Sequence, residues 1–218
     1  MLALSFLHVL CLVFWLGTDV GTFYASRFVA DPRLAPAERG VALRIMMGCD
    51  LAPRLCMPLT LATGFHLALV AGHLPLPAAL AWAVWAGCAL WLWAAWRLHT
   101  APSPAAVASL ARVDFNARIL LALGIGGAAV LAWAGLLPAP QRWLAIKLLC
   151  FALAIVCGLM IRVRLRPFGA AWARLQQQGA GGEADRAVAA AIAGCVPWVL
   201  LIWALLLLAL AAGLRWIG

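Results

Sequence analysis

Four side chains near the start of the chain are of types that do chemistry, and their spacing puts them together. His8, Trp15, Asp19 and Thr22 recur at steps of seven, four and three, which at ~3.6 residues per turn places them on one face of a helix. The stretch that holds them, Ser5 to Phe28, reads SFLHVLCLVFWLGTDVGTFYASRF and is otherwise almost wholly apolar. Ionisable groups in so apolar a span are costly and face a protein interior, so the stripe marks a candidate functional site. The alternative is a structural polar seam, with His8 bonded to a neighbouring hydroxyl or carbonyl.

Two more ionisable side chains reach the same layer from other segments. His8 lies seven residues into the first apolar span, His66 six residues before the end of the second, and Lys147 six residues after Gln141 opens the fifth. With a rise of ~1.5 Å per residue, all three sit about 9–11 Å from the same side of a membrane. Two imidazoles on facing helices supply both axial positions of a haem iron, and a lysine beside them pairs with a propionate. On this reading His8 and His66 are the metal ligands, Trp15 and Lys147 complete the cofactor site, and Lys147 and Asp19 are the candidate catalytic groups. Copper held by the same imidazoles is the alternative cofactor, with Cys11 one turn from His8 and Cys150 one turn from Lys147. For Lys147 alone, the alternative is a side chain that snorkels to the interface.

Other patterns carry weaker chemistry. Asp50-x3-Arg54 and Asp114-x3-Arg118 each place an acid and a base on one helix face, where an exposed pair contributes only ~0.3–0.5 kcal/mol; a proton route through Asp19, Asp50 and Asp114 is the sharper reading. Met46, Met47, Cys49, Cys56 and Met57 form a sulfur-rich cluster that reads as core packing. Trp82, Trp85, Trp93 and Trp96 fall on one face of the third span with Trp91 opposite, the pattern of an interfacial belt, with stacking on a porphyrin or quinone as the alternative.

The elements that position these groups follow from composition. The chain has 218 residues, is 67% hydrophobic and 11% charged, and has a mean hydropathy of +1.03. That excludes an ordinary soluble domain and predicts an all-α, polytopic membrane bundle, read as a single domain over 1–218. Six spans are expected, at roughly 2–25, 51–72, 77–97, 117–137, 142–162 and 190–214. The first lacks a basic leader and a small-residue cleavage site, so it is expected to be retained. The seven cysteines lie mostly inside spans and show no CxxC pair, which fits small core residues and not a disulfide framework.

Charge sets the expected topology. The net charge of +9 sits at helix ends and not in a nucleic-acid patch. Connection 26–50 holds Arg27, Arg33, Arg39 and Arg44, connection 98–116 holds Arg112, and connection 163–189 holds Arg164, Arg166, Arg174 and Arg186. The positive-inside rule makes these cytoplasmic and both termini periplasmic. Ala35-Pro36-Ala37-Glu38 and Ser103-Pro104 have the start signals of helices that project beyond the membrane into spans two and four. Gln176 to Glu183, QQQGAGGE, reads as a flexible loop. A weak internal repeat, Asp50-x3-Arg54 before HLPLP and Asp114-x3-Arg118 before LLPAP, suggests duplicated hairpins over 50–100 and 114–166.

His8-x6-Trp15-x-Gly17, followed by Phe23-Tyr24-x2-Arg27-Phe28-Val29, resembles the first helix of the HemJ-type protoporphyrinogen IX oxidases. Trp143-Leu144-x-Ile146-Lys147-Leu148 is similar to their WLHIKL segment, and Asn116-x-Arg118 to the helix before it. The CopD-type copper-resistance membrane domains are similar in the same places. The resemblance implies a haem b-binding, multi-pass protein of the bacterial inner membrane, with His8 and Lys147 at the positions that matter. Three extra residues between Trp15 and Phe23-Tyr24, Ala145 where the segment has histidine, and the added hairpin with His66 depart from it. The expected activity is electron transfer or oxidation of a membrane-accessible substrate. A copper-handling or transport protein, or a non-catalytic subunit of a larger membrane complex, is the alternative. Expected partners are the lipid bilayer, haem and a redox partner or membrane complex, with a homo-oligomer left open and no nucleic acid.

Overall fold

The computed structural model describes residues 1–103, 105–137, 141–179 and 182–216, and the regular structure among them is helical throughout. α1 (Leu2–Ala30), α2 (Pro36–Val70), α3 (Ala79–Thr100), α4 (Ala108–Trp133), α5 (Arg142–Arg164) and α8 (Val196–Gly213) occupy the expected spans, and α6 (Phe168–Gln178) and α7 (Glu183–Ala193) stand between the last two. Six helical stretches are long and apolar enough to cross a bilayer. Phe6, Val13, Leu120 and Leu207 are each more than half exposed on their outer faces, a surface that only lipid solvates well. The chain is a multi-pass membrane protein.

α2 projects beyond the membrane, as its start signal predicts. Its 35 residues span about 50 Å at ~1.5 Å each, against a hydrocarbon core of ~30 Å. Pro36 opens its first turn and the Glu38 carboxylate accepts the Ala35 N–H at 2.8 Å. α1 runs to Ala30, five residues past the expected end, before Pro32 forces a turn. There the Asp31 carboxylate accepts the Arg33 guanidinium at 2.7 and 2.9 Å and its backbone N–H at 3.0 Å. The Arg33 side chain first, then that N–H, pulls the Asp31 carboxyl down to about 2. Ahead of α4, the Ser103 hydroxyl accepts the Ala106 N–H at 3.4 Å; Pro104, and residues 138–140 of the LLPAP repeat, lie outside the described residues.

The helices form two halves, α1 to α3 and α4, α5 and α8. α1 lies along α2, and α3 flanks α2; α5 is central to the other half, between α4 and α8. Small residues allow the close approach: a Cβ on Gly21 would stand 3.3 Å from Cys49 Sγ, and one on Gly126 would stand 3.5 Å from Ala152. The core lies between the halves, where Trp15 meets Phe151 edge-on at 6.2 Å. An even number of spans brings both termini to one end, where His73 and Arg215 converge on Trp143 at 5.1 and 5.6 Å. The opposite end carries the connections rich in arginine.

The segment expected as a basic connection with a flexible stretch is different. α6 and α7 are amphipathic helices, and of the expected loop 176–183, residues 180 and 181 lie outside the described residues. Ala171 and Leu175 on α6, and Ala184, Val188 and Ile192 on α7, repeat at four-residue steps and bury against Val29 of α1 and Ala42, Leu43 and Met46 of α2. This second core lies at the arginine-rich end. Within it Arg39 is fully buried, donates from Nε to the Val29 carbonyl at 2.8 Å and pairs with Asp185.

Candidate functional site

At the termini end the three predicted groups meet separate neighbours. His8 Nδ1 lies 2.8 Å from Thr63 Oγ1 on α2. The Thr63 hydroxyl donates to the Leu59 carbonyl at 2.6 Å, so its oxygen accepts from His8 Nδ1–H, which leaves the lone pair on Nε2. The ring reaches that far because residue 64 is glycine: a Cβ there would stand 2.9 Å from His8 Cε1. His66 turns to α3 instead, its Nδ1 accepting the Trp85 indole N–H at 3.2 Å with Trp82 edge-on at 6.2 Å. Lys147 comes within electrostatic range of His8. Its ammonium lies 5.9 Å from the Trp143 ring centroid and beside Gly213, whose missing Cβ admits it. There it meets the negative end of the α8 dipole. The structure sets Lys147 within electrostatic range of His8 but against Gly213 and Trp143, and leaves His66 against α3.

The His8 contact is testable by crowding. Gly64→Val should push the imidazole off Thr63 and cost about 1–3 kcal/mol by overpacking. Adding His8→Ala to that variant should recover most of the loss in a thermal unfolding series in detergent, because the clashing ring is gone.

The polar stripe of α1 leads past Trp15 to a second place. A cavity of ≈190 Å³ lies between the two halves, lined by Asp19, Thr22 and Ser26 of α1, with Trp15 in its wall. Asp50 and Arg54 enter it from α2, Arg118 from α4 and Arg162 from α5. Each carboxylate near it has a distinct environment. Asp19 Oδ2 accepts the Trp203 indole N–H at 2.7 Å, with Phe23 edge-on to that indole at 5.3 Å. Asp50 pairs with Arg54 one turn on. Asp114 Oδ2 accepts both Arg118 Nε at 3.0 Å and Arg162 Nη1 at 2.6 Å. Arg118 also lies 4.9 Å over the Trp91 ring, and its Nη1 is 3.6 Å from Met57 Sδ. Its Nη2 is buried with no hydrogen-bond partner among the described residues.

Trp15 and Asp19, predicted from the stripe, therefore belong with this cavity and not with the His8 layer. Asp19 and Asp50 of the expected proton route share it, while Asp114 is held by two arginines that line it. The sulfur-rich cluster divides, Met46, Met47 and Met57 lining the cavity and Cys56 facing Cys11. Four participants escaped sequence reasoning. Along the sequence Arg118 is a local ion-pair partner, Arg162 one more arginine at a span's end, and Trp203 part of an apolar run. Trp91 carried a faint signal, since it alone stood opposite the tryptophan face of α3; Trp82, Trp93 and Trp96 are exposed, as an interfacial belt requires.

No family model, curated protein or solved structure matches the chain. The fit of haem rests on the residues present. With His66 Nδ1 accepting from Trp85, its neutral ring carries the proton on Nε2, and Thr63 and Gly64 fill the space that His8 faces on α2. The ≈190 Å³ cavity is smaller than the ~300–1,000 Å³ of pockets for drug-sized ligands. A macrocycle held between His8 and His66 does not fit this arrangement. Among the described residues no three His, Cys, Asp or Glu side chains gather as a metal-ligand set, and all seven thiols are free.

Proposed function

We propose that this protein takes a small polar solute into its transmembrane bundle, in the cavity between its two halves, as a binding or transport protein. One observation carries the reading: five ionisable side chains from four helices, Asp19, Asp50, Arg54, Arg118 and Arg162, line one cavity. Ionisable groups held within membrane helices and turned towards a cavity are the mark of a solute or ion pathway. The test is access. In Ser26→Cys and Thr22→Cys variants, small charged methanethiosulfonates should modify the new thiol, mapped by peptide mass spectrometry so that native cysteines serve as internal references. Val20→Cys, on the outward face of α1, should stay unmodified, because these reagents need a hydrated thiolate. Modification from the cytoplasmic face first is expected if both termini are periplasmic, as the arginine distribution implies. Protection of both cavity positions would overturn the solute reading.

The second reading is a haem b or copper protein akin to the HemJ-type and CopD-type families, for the bacterial inner membrane, and one observation favours it. The Thr63 hydroxyl accepts His8 Nδ1–H and so puts the lone pair on Nε2, the arrangement in which a second neighbour fixes a ligating histidine. A bound haem would supply redox chemistry, with His8 holding it and Lys147 nearby as a cation. Purified protein should then show a Soret band that His8→Ala abolishes and His66→Ala retains. Loss in neither variant would remove His8 from the ligand set.

A further inference from the structure

We propose that the cavity binds a zwitterion: a small solute or lipid head group with an oxyanion at one end and an ammonium at the other. The inference rests on the solute reading above and names the chemistry of what enters. Two aspartates and three arginines line the cavity, Asp114 stands behind two of the arginines, and most of these charges pair with one another. Asp50 is taken by Arg54, and Asp114 by Arg118 Nε and Arg162 Nη1. Arg54 and Arg162 use one nitrogen each but are partly exposed, at 32% and 27%, and two further groups stand out. Asp19 has no ion pair among the described residues, and its hydrogen bond comes from a neutral indole. Arg118 is 93% buried as a side chain, lines the cavity, and has one guanidinium nitrogen without a partner among the described residues.

These two groups come from opposite halves of the bundle, Asp19 from α1 and Arg118 from α4. A plain anion satisfies Arg118 but meets the Asp19 carboxylate, which already feels Asp50. A plain cation satisfies Asp19 and leaves a buried donor unpaired, which is costly. A molecule with both charges answers both groups. The site is also preorganised, since Trp91 below, Met57 beside and Asp114 at Nε fix the Arg118 plane before anything binds. Met57, Ile161 and Ile202 give apolar walls that suit the short carbon chain between two charged ends.

The test uses the purified full chain in detergent, with phosphoethanolamine as the zwitterion and inorganic phosphate and ethanolamine as its separate halves. Calorimetry should find phosphoethanolamine bound about tenfold or more tighter than either half, the gain expected of a second charged contact. Asp19→Asn keeps the acceptor for Trp203, so it should fold; it should cost phosphoethanolamine about tenfold while leaving phosphate unweakened. Arg118→Lys keeps the ion pair with Asp114 and should weaken phosphoethanolamine and phosphate but not ethanolamine. Competition by nanodiscs of phosphatidylethanolamine, and not of phosphatidylglycerol, would assign the zwitterion to a lipid head; no competition would assign it to a free solute. Phosphate or ethanolamine binding as tightly as phosphoethanolamine would overturn the inference. So would the absence of binding by all three probes while Ser26→Cys is still modified, an outcome that leaves the solute reading standing.

Discussion

Asp114→Ala is expected to lower stability by about 3–5 kcal/mol, the loss that follows when one partner of a buried ion pair is removed. The carboxylate is 3% exposed and is shared by Arg118, 7% exposed, and Arg162. Removing it leaves two guanidiniums beside each other at the edge of the cavity, one of them enclosed by Trp91 and Met57. The equivalent change in the other copy of the motif, Asp50→Ala, should cost only ~0.2–1 kcal/mol, because a partly solvated pair gains little; there Asp50 and Arg54 are 28% and 32% exposed. A thermal unfolding series in one detergent compares the two directly. Equal losses would mean that burial does not separate the pairs.

Asp185→Ala is the second large effect, also about 3–5 kcal/mol by the same argument, since Arg39 is wholly buried and loses its counter-charge. Its location differs. Arg39 and Asp185 join the start of α2 to α7, so the loss should fall on the docking of α6 and α7 and not on the membrane core. Hydrogen exchange should accelerate in α6, α7 and the first turns of α2 while the middle of α5 stays protected. An Arg39→Met and Asp185→Leu double variant should regain most of the stability, since apolar side chains of similar volume replace buried ion pairs well. Uniform acceleration through all helices would place the pair in the global fold instead.

The sequence by itself determined the class, the spans and the inward stripe of α1. Those properties are local: hydropathy over a window fixes which residues enter a bilayer, and a 3.6-residue period fixes which side chains share a face. The start of α2 at Pro36 was legible for the same reason, and both Asp-x3-Arg pairs form because four residues along a helix is contact distance. Partners drawn from other helices were not legible. Depth alone puts His8, His66 and Lys147 in one layer, but depth leaves rotation free, and the rotation of α2 gives Thr63 to His8 and turns His66 to α3. The helices α6 and α7 read as a connection because their apolar positions are mostly alanine, weak in hydropathy until Val29 and the extended α2 offer a surface to bury them. Asp19 was visible in the stripe, yet its setting required Trp203 from 184 residues away. The unpaired nitrogen of Arg118 exists only because α2, α3, α4 and α5 together fix that guanidinium, and no property of residue 118 and its neighbours along the chain encodes it.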